Sequence, residues 1–268
     1  MTNPKDAQAW FYKGRELYQL GRFEEALYAL NQVVKLHPDL TEAWLGKGVS
    51  LHKLGRFEES IIAFNQVVKL HPDLAEAWLG KGVALRELGR FEEELSAYDQ
   101  AIKLNPDNAI AWSNKGIALS ELGRSEEALS AYDQAIKLNP DDAETWYNQG
   151  VALSELGRSK DALSAYDQVI KLKPEYAYAW YNKAVTLDKL GRSKEALTAF
   201  DQAIKLNPDL AVSWANKGRL YALQGDKDNA LKNLAKAIEL NATFKKLAIT
   251  DEDFKSLWDD KDFQKLVK

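Results

Sequence analysis

The chain has 268 residues, of which 46% are hydrophobic and 28% charged, and 36 Lys and Arg against 40 Asp and Glu give a formal net charge of −4. This composition is typical of globular proteins, the lack of a basic excess argues against a nucleic-acid partner, and the absence of cysteine excludes disulfides, thiolate metal sites and a cysteine nucleophile. No apolar run approaches the roughly 18–20 residues that span a bilayer and the first residues lack a signal-peptide pattern, so we expect a cytoplasmic protein without membrane insertion.

A period of 34 residues runs through the sequence. Its clearest marker is tryptophan, which recurs at this step as Trp10, Trp44, Trp78, Trp112, Trp146, Trp180 and Trp214. Prolines keep the same step from Pro4 to Pro208, and one set of glycines keeps it from Gly21 to Gly225. Self-similarity of this length predicts a repeat protein in which each unit is one supersecondary element.

Each unit predicts two α-helices. In the second unit, Trp44, Gly48 and Leu51 fall on one face at helical spacing. Gly55 then ends this helix, because glycine readily takes the left-handed conformation that follows a helix C-terminus. A second apolar helical face begins at Phe57 and ends before the next proline, since the residue before a proline disfavours the helical region. No stretch alternates as a β-strand does, so the sequence predicts an all-α fold.

The second unit resembles the tetratricopeptide repeat at Trp44, Gly48, Leu51, Phe64 and Pro72. The resemblance implies a right-handed superhelical solenoid of antiparallel helix pairs. It covers seven units, which we place at residues 7–40, 41–74, 75–108, 109–142, 143–176, 177–210 and 211–244. In this division, residues 1–6 form an N-terminal lead-in and residues 245–268 a C-terminal helical cap.

The stretch Gly46-Lys47-Gly48 allows two interpretations. It would either cradle a phosphate, as glycine-rich loops do, or belong to a helix that needs small residues for close packing. Other units replace Gly46 by asparagine or tyrosine, and the sixth unit has Ala184 in place of Gly48. Alanine fits a close helix contact but not a positive-φ loop, and no P-loop spacing is present. The sequence therefore favours helix packing.

The first unit carries unusual aromatic bulk at Phe11, Tyr12, Tyr18 and Tyr28. The residues before it resemble an ordinary junction between units rather than a cap. Either the chain is part of a longer array, or its first face is left to pair with another molecule. For the second case we hypothesise self-association through the first repeat, which would make the protein a homo-oligomer.

Residues 245–268 depart from the period. Thr250 and Asp253 have the spacing of a capping box and predict a helix that starts after Thr250. Phe254 and Trp258 belong to an apolar surface of this segment. Because the last repeat of a solenoid needs a cover, we interpret the segment as a cap; a detachable peptide that binds another molecule is the alternative.

The resemblance also implies a concave surface lined by the first helix of each repeat. Its floor in the second and third units is apolar and contains glycine, at Leu45, Gly46, Val49, Leu79, Gly80 and Val83. We expect these residues to form a recess that buries apolar side chains of a partner. The alternative is that the two valines merely pack against adjacent helices.

From the fourth unit onward the sixth position of each unit is asparagine, at Asn114, Asn148, Asn182 and Asn216. Asparagine has a donor and an acceptor, so such a row would hold a peptide backbone. The row resembles that of tetratricopeptide superhelices such as the O-GlcNAc transferases. Tyr147 and Tyr181 lie beside it in the sequence and would stack on partner side chains. The alternative is that asparagine is simply common at this position.

No nucleophile–base–acid set and no convergent metal ligands are evident, so we expect neither enzyme activity nor a cofactor. The sequence favours a protein-interaction scaffold whose partner is a protein or peptide lying along the first helices. Two alternatives stay open: a structural array that self-assembles through its first repeat, and a region that recruits substrates to an enzyme complex. The carboxylate clamp that the family uses for chaperone C-termini is absent.

Overall fold

A computed structural model describes residues 7–268; the predicted lead-in, residues 1–6, lies outside the described residues. Residues 7–268 form helices connected by short turns and contain no β-strand, which confirms the all-α prediction. The chain divides into two compact units, Met1–Pro140 and Asp141–Lys268.

Helices of alternating length follow one another along both units. In the first unit they are α1 (Ala7–Gln19), α2 (Phe23–Leu36), α3 (Thr41–Lys53), α4 (Phe57–Leu70), α5 (Ala75–Glu87), α6 (Phe91–Leu104), α7 (Ala109–Glu121) and α8 (Ser125–Leu138). In the second unit they are α9 (Ala143–Glu155), α10 (Ser159–Leu172), α11 (Ala177–Lys189), α12 (Ser193–Leu206), α13 (Ala211–Leu223), α14 (Lys227–Leu240), α15 (Thr243–Ala248), a 3₁₀ helix (Glu252–Leu257) and α16 (Lys261–Val267).

A glycine turn joins the two helices of each pair. Gly55 has φ +73° and its backbone N–H donates to the carbonyl of His52 at 3.0 Å. The backbone N–H of Arg56, the next residue, donates to the carbonyl of Leu51 at 2.9 Å. These two bonds are those of a Schellman motif, and they confirm the predicted end of the first helix. Because three residues connect helices that pack along their length, the helices of a pair run in opposite directions.

Within a pair, the first helix carries a small residue where it crosses a large side chain of the second. A Cβ added at Gly82 would stand 2.4 Å from Cε1 of Tyr98, and one added at Gly116 would stand 2.4 Å from Cε1 of Tyr132. In the sixth unit, Ala184 and Phe200 take these two positions, and both are fully buried. The second glycine of the Gly46-Lys47-Gly48 stretch faces Phe64 in the same way. Gly48 is therefore a helix-packing residue, as predicted.

A tryptophan on the first helix of a pair is hydrogen-bonded to the turn that precedes it. The Nε1 atom of Trp44 donates to the carbonyl of Pro38 at 2.9 Å, and that of Trp78 donates to the carbonyl of Pro72 at 3.0 Å. Lys47 lies over the Trp44 ring with its Nζ 4.8 Å from the centroid, and burial lowers the pKa of this lysine. The common step of tryptophan and proline in the sequence thus reflects a contact that fixes each turn against the next helix.

The C-terminal segment packs on the last helix pair. Its side chains form one apolar cluster with α13 and α14 that includes Ala222, Ala230, Leu234, Ala248, Phe254, Leu257 and Phe263. The prediction that Thr250 is the N-cap residue of a helix is wrong, because the Thr250 hydroxyl donates to the carbonyl of Leu247 in the preceding helix. Asp251 caps the 3₁₀ helix instead, since its carboxylate accepts the amide of Asp253 at 3.0 Å.

The third repeat contains an ion pair between its two helices, and the carboxylate of this pair is fully buried. Glu94 is fully buried, and its Oε1 accepts a bond from Nε of Arg86 at 2.8 Å. The Arg86 guanidinium also donates to the hydroxyl of Tyr98 at 3.1 Å. Burial raises the pKa of Glu94 and Arg86 opposes this shift. The next repeat has Ser120 and Ala128 at the equivalent positions.

We predict that Gly116→Ala destabilises the protein although alanine favours helix. The new Cβ overpacks the Tyr132 ring at a cost of about 1–3 kcal/mol, of which helix propensity offsets about 1 kcal/mol. Ala184→Gly, the reverse change at the equivalent position, should also destabilise, because it loses propensity and a packed methyl group. Urea unfolding measures both; a Gly116→Ala variant more stable than wild type would contradict the packing argument.

A second prediction concerns the ion pair. Arg86→Ser leaves the Glu94 carboxylate buried without its partner and should cost about 3–5 kcal/mol near neutral pH. Since the pKa of Glu94 lies above its unfolded value, the folded state binds the extra proton, and part of this loss should return as the pH falls towards about 4.5.

The matched control is Arg86→Ser with Glu94→Ala, which installs the residues of the fourth repeat. This double variant should be about as stable as wild type or more stable, without the pH dependence of the single variant. Urea unfolding at about pH 5 and pH 7 distinguishes the cases. Equal stability of the single and double variants would show that Glu94 is not penalised by burial.

Candidate functional site

The six apolar and glycine residues predicted for the second and third repeats lie together. Leu45, Gly46, Val49, Leu79, Gly80 and Val83 line one cavity of about 370 Å³. We call it the second recess. Sequence reasoning missed three further residues that line it: His52, Phe64 and Glu76.

Phe64 forms the floor of the second recess. It is 2% exposed, and a Cβ added at Gly80 would stand 2.5 Å from its Cζ. Glycine at position 80 therefore allows the α5 backbone to lie directly on the ring. The contact links two successive repeats, which is why the sequence of one repeat does not reveal it.

A neighbouring cavity of about 530 Å³ shares Leu45, Gly46, Val49 and Glu76 with the second recess. We call it the first recess. Its own apolar lining comes from the first repeat, at Phe11, Gly14, Tyr18 and Leu30. Two residues assigned to self-association on sequence grounds, Phe11 and Tyr18, thus lie beside residues assigned to peptide binding. The third, Tyr12, is 57% exposed and does not line either recess.

The recesses contain few polar groups. Glu42, Glu76 and Arg15 line the first recess, and Glu76 and His52 line the second. The His52 ring packs edge-on against Phe57 at 5.4 Å, and its Nε2 is buried with no hydrogen-bond partner among the described residues. Burial lowers the pKa of His52. Gln19 and Ser50 add two uncharged polar side chains to the first recess. The lining therefore offers apolar area, two carboxylates, one guanidinium group and a few uncharged polar groups.

The predicted asparagine row divides into two classes. In the second compact unit, Asp141–Lys268, Nδ2 of Asn182 donates to the hydroxyl of Tyr147 at 3.0 Å, and Nδ2 of Asn216 donates to the hydroxyl of Tyr181 at 3.5 Å. Asn216 also donates to the carbonyl of Val212 at 2.9 Å. These tyrosines stand one position before the asparagine site of the preceding repeat. Each tyrosine therefore connects the first helix of its own repeat to the first helix of the following repeat.

Asn114 and Asn148 form the other class. Both are half-buried, and their side chains make no hydrogen bond within residues 7–268. In the third repeat, Leu79 stands at the position of the bridging tyrosines. Leucine has no polar side-chain atom that could bond to Asn114. The donor and acceptor of these two amides are thus unused by the fold.

The C-terminal segment reaches the first-helix surface of the last repeat. Arg219 donates to the carboxylate of Asp253 in the segment at 2.5 Å and to that of Asp188 on α11. Asn216, Arg219 and Phe254 line a small cavity of about 300 Å³ there. Asn216 is consequently enclosed by the segment on one side.

Residues 7–268 contain no group of three or more His, Cys, Asp or Glu side chains arranged to hold a metal ion. Among the same residues, every helix is too short or too polar to cross a membrane.

Solved structures share this architecture. YrrB, described as a tetratricopeptide repeat protein with an unusual peptide-binding site, is 23% identical over 70% of this chain and 97% of its own, with a TM-score of 0.63. MamA from Desulfovibrio magneticus RS-1 is 22% identical over 63% of this chain and 96% of its own, with a TM-score of 0.60. The Cut9–Hcn1 structure of the APC/C matches 99% of this chain and 50% of its own at 18% identity and a TM-score of 0.64. At these identities the likeness concerns the fold alone.

None of the curated proteins matches the sequence. A tetratricopeptide repeat model matches residues 2–40, 13–75, 147–211 and 183–243, which together exceed half of the chain. Two further models of the same repeat match residues 109–142 and 82–123. With the helix pairs, the glycine turns and the tryptophan–proline contacts, these matches establish that the chain belongs to the tetratricopeptide repeat family.

Proposed function

We propose that this chain is a non-catalytic scaffold that binds a segment of another protein on the first helices of its repeats. The observation that carries the proposal is the second recess, where six side-chain positions chosen from the sequence surround one apolar cavity. Burying one leucine-sized side chain there would contribute about 1.5–3 kcal/mol. The two recesses together accommodate more than one such side chain.

The asparagines and tyrosines of the second compact unit, Asp141–Lys268, have a different role from the recesses. Asn148 offers a free donor and acceptor, which suits a peptide backbone. Asn216 uses both of its N–H groups, on Tyr181 and on the carbonyl of Val212, so its carbonyl oxygen is left to accept from a partner amide. Asn182 uses one N–H group on Tyr147, so it keeps one N–H group and its carbonyl oxygen for a partner. Tyr147 and Tyr181 act first as positioning residues for these asparagines in this proposal, rather than as stacking surfaces.

The domain organisation that we propose keeps seven repeats from residue 7 to residue 244 and a capping segment at 245–268. The first helices begin at Ala7, Thr41, Ala75, Ala109, Ala143, Ala177 and Ala211, which supports this division. The burial of Phe254, Leu257 and Phe263 against α13 and α14 supports a cap over a detachable peptide.

Self-association is a second candidate, supported by exposed apolar side chains on α1, α2 and their turn. Tyr12, Leu20 and Tyr28 are 57%, 63% and 61% exposed. The placement of Phe11 and Tyr18 in the first recess removes two residues from this surface. Light scattering over a hundredfold concentration range tests this candidate, and a constant monomer mass would overturn it.

We predict that Val49→Gln with Val83→Gln abolishes partner binding, because polar side chains then fill both recesses without changing net charge. The matched control is Ile62→Gln, which alters an exposed apolar residue of α4 away from the recesses. Each bait captures proteins from a lysate of the source cells for quantification by mass spectrometry, and circular dichroism checks the helices. Proteins retained by wild type and control but lost with the double variant support the proposal; identical sets from all three baits contradict it.

A further prediction separates the two classes of asparagine. Asn182→Ala and Tyr147→Phe should each lower the free energy of unfolding by about 0.5–1.5 kcal/mol, and the combined variant should lose little more, since both remove one hydrogen bond. Asn148→Ala should leave the unfolding free energy within about 0.5 kcal/mol while weakening capture. Additive losses at Asn182 and Tyr147 would show that their bond does not contribute.

A further inference from the structure

The first and second recesses form a pair of equivalent pockets on successive repeats. In each, a glycine of a first helix lies over a large side chain from the repeat before: Gly46 over Leu30 and Gly80 over Phe64, with Cβ distances of 3.2 and 2.5 Å. The recesses share Leu45, Gly46 and Val49, so one ligand segment passes from one to the other without leaving the apolar surface.

The step between the recesses restricts what occupies them. Helices α1, α3 and α5 contact one another in turn, and packed helices lie about 8–10 Å apart. A polyproline-like segment presents the same face every three residues, about 9.3 Å along its axis. An α-helix reaches about 10.5 Å after seven residues. Spacings of two residues in a strand, about 6.7 Å, are too short.

The charge of the rim adds a second restriction. Glu42 and Glu76 occupy the same position on α3 and α5, line the first recess together and form no ion pair within residues 7–268. Three cations of α3 and α5 are engaged elsewhere: Lys47 and Lys81 lie over Trp44 and Trp78, and Arg86 donates to Glu94.

One cation, Arg15, also lines the first recess. It lies seven residues along α1 from Gln8, the residue equivalent to Glu42, which places it about 10 Å further along the helix. The carboxylates thus form one edge of the recesses and Arg15 stands towards the other. The second recess has Glu76 as its single charged carboxylate and is lined by no lysine or arginine.

We propose that the partner segment carries two apolar side chains, one for each recess, and a lysine or arginine that lies between Glu42 and Glu76. This inference rests on the proposed function and adds the chemistry of the ligand. The apolar pair supplies most of the affinity through burial, whereas the carboxylates select among apolar segments and speed association, as rim charges do at interfaces. Phe11 and Tyr18 belong to this site as walls of the first recess.

The test begins with a random dodecamer peptide library displayed on phage and selected on the full chain. Counter-selection on Val49→Gln with Val83→Gln removes peptides that bind outside the recesses. The expected peptides carry two apolar residues three or seven positions apart with Lys or Arg beside them. One enriched peptide, synthesised with blocked ends, is then titrated by fluorescence anisotropy.

Binding of this peptide should weaken about two- to thirtyfold on Glu42→Gln with Glu76→Gln, and salt should weaken wild-type binding more than binding by this variant. The matched control is Glu58→Gln with Glu92→Gln, which removes two exposed glutamates from the second helices of the same repeats and should leave binding unchanged. Because both variants change the net charge equally, a difference between their affinities for the peptide is due to the position of Glu42 and Glu76 at the recesses.

Three outcomes would overturn the inference alone, and a fourth would overturn the proposed function on which it rests. Recess-dependent peptides without enriched Lys or Arg, or an unchanged affinity on Glu42→Gln with Glu76→Gln, would refute the ligand chemistry and leave the proposed function intact. Apolar residues spaced by two or four positions would refute the pairing of the recesses. A library that yields no recess-dependent peptide would overturn the proposed function itself.

Discussion

The close crossing of the two helices within each repeat is the constraint on which the rest of the structure depends. A first helix approaches its partner only where it carries a small residue opposite a large one, as Gly82 does against Tyr98 and Ala184 against Phe200. This contact, with the left-handed glycine turn, determines which face of the first helix is buried. The opposite positions are then left as surface, and the chain varies them from repeat to repeat while the crossing stays the same.

Comparison among the repeats separates residues that hold the fold from residues that give each surface its chemistry. The sixth position is Gly46 and Gly80 in two repeats and Asn114 in the next, and the same backbone therefore presents an apolar recess in one place and an amide in another. The pair of Arg86 and Glu94 is a different kind of departure. It lies inside a repeat, where Glu94 stands in place of the alanine or serine that the other repeats have at this position, and neither Arg86 nor Glu94 lines a recess.

The sequence was sufficient for those features that repeat or that depend on local backbone chemistry. The helix faces, the turn at Gly55 and the packing role of Gly48 all follow from periodicity and glycine geometry. Contacts between repeats were not accessible in this way. The bond from Asn182 to Tyr147, and the position of Phe64 beneath Gly80, depend on how one first helix is placed against the next. The predicted N-cap of the C-terminal segment is one residue too early, because Thr250 and Asp251 are both good capping residues. The Thr250 hydroxyl donates to the preceding helix instead, which leaves Asp251 to cap the 3₁₀ helix.

The glycines of the recesses bear on whether those recesses exist for packing or for binding. A glycine inside a helix costs about 1 kcal/mol relative to alanine, so the fold needs a reason to keep one. At Gly80 the reason is partly structural, because Phe64 leaves no room for a Cβ. At Gly46 the nearest side-chain atom would be 3.2 Å away, a contact that a small shift of Leu30 relieves, and other repeats hold asparagine or tyrosine at the same position. Glycine at position 46 therefore opens space that the repeat does not require for packing. A residue that lowers helix stability without a packing reason is expected where a surface binds a ligand.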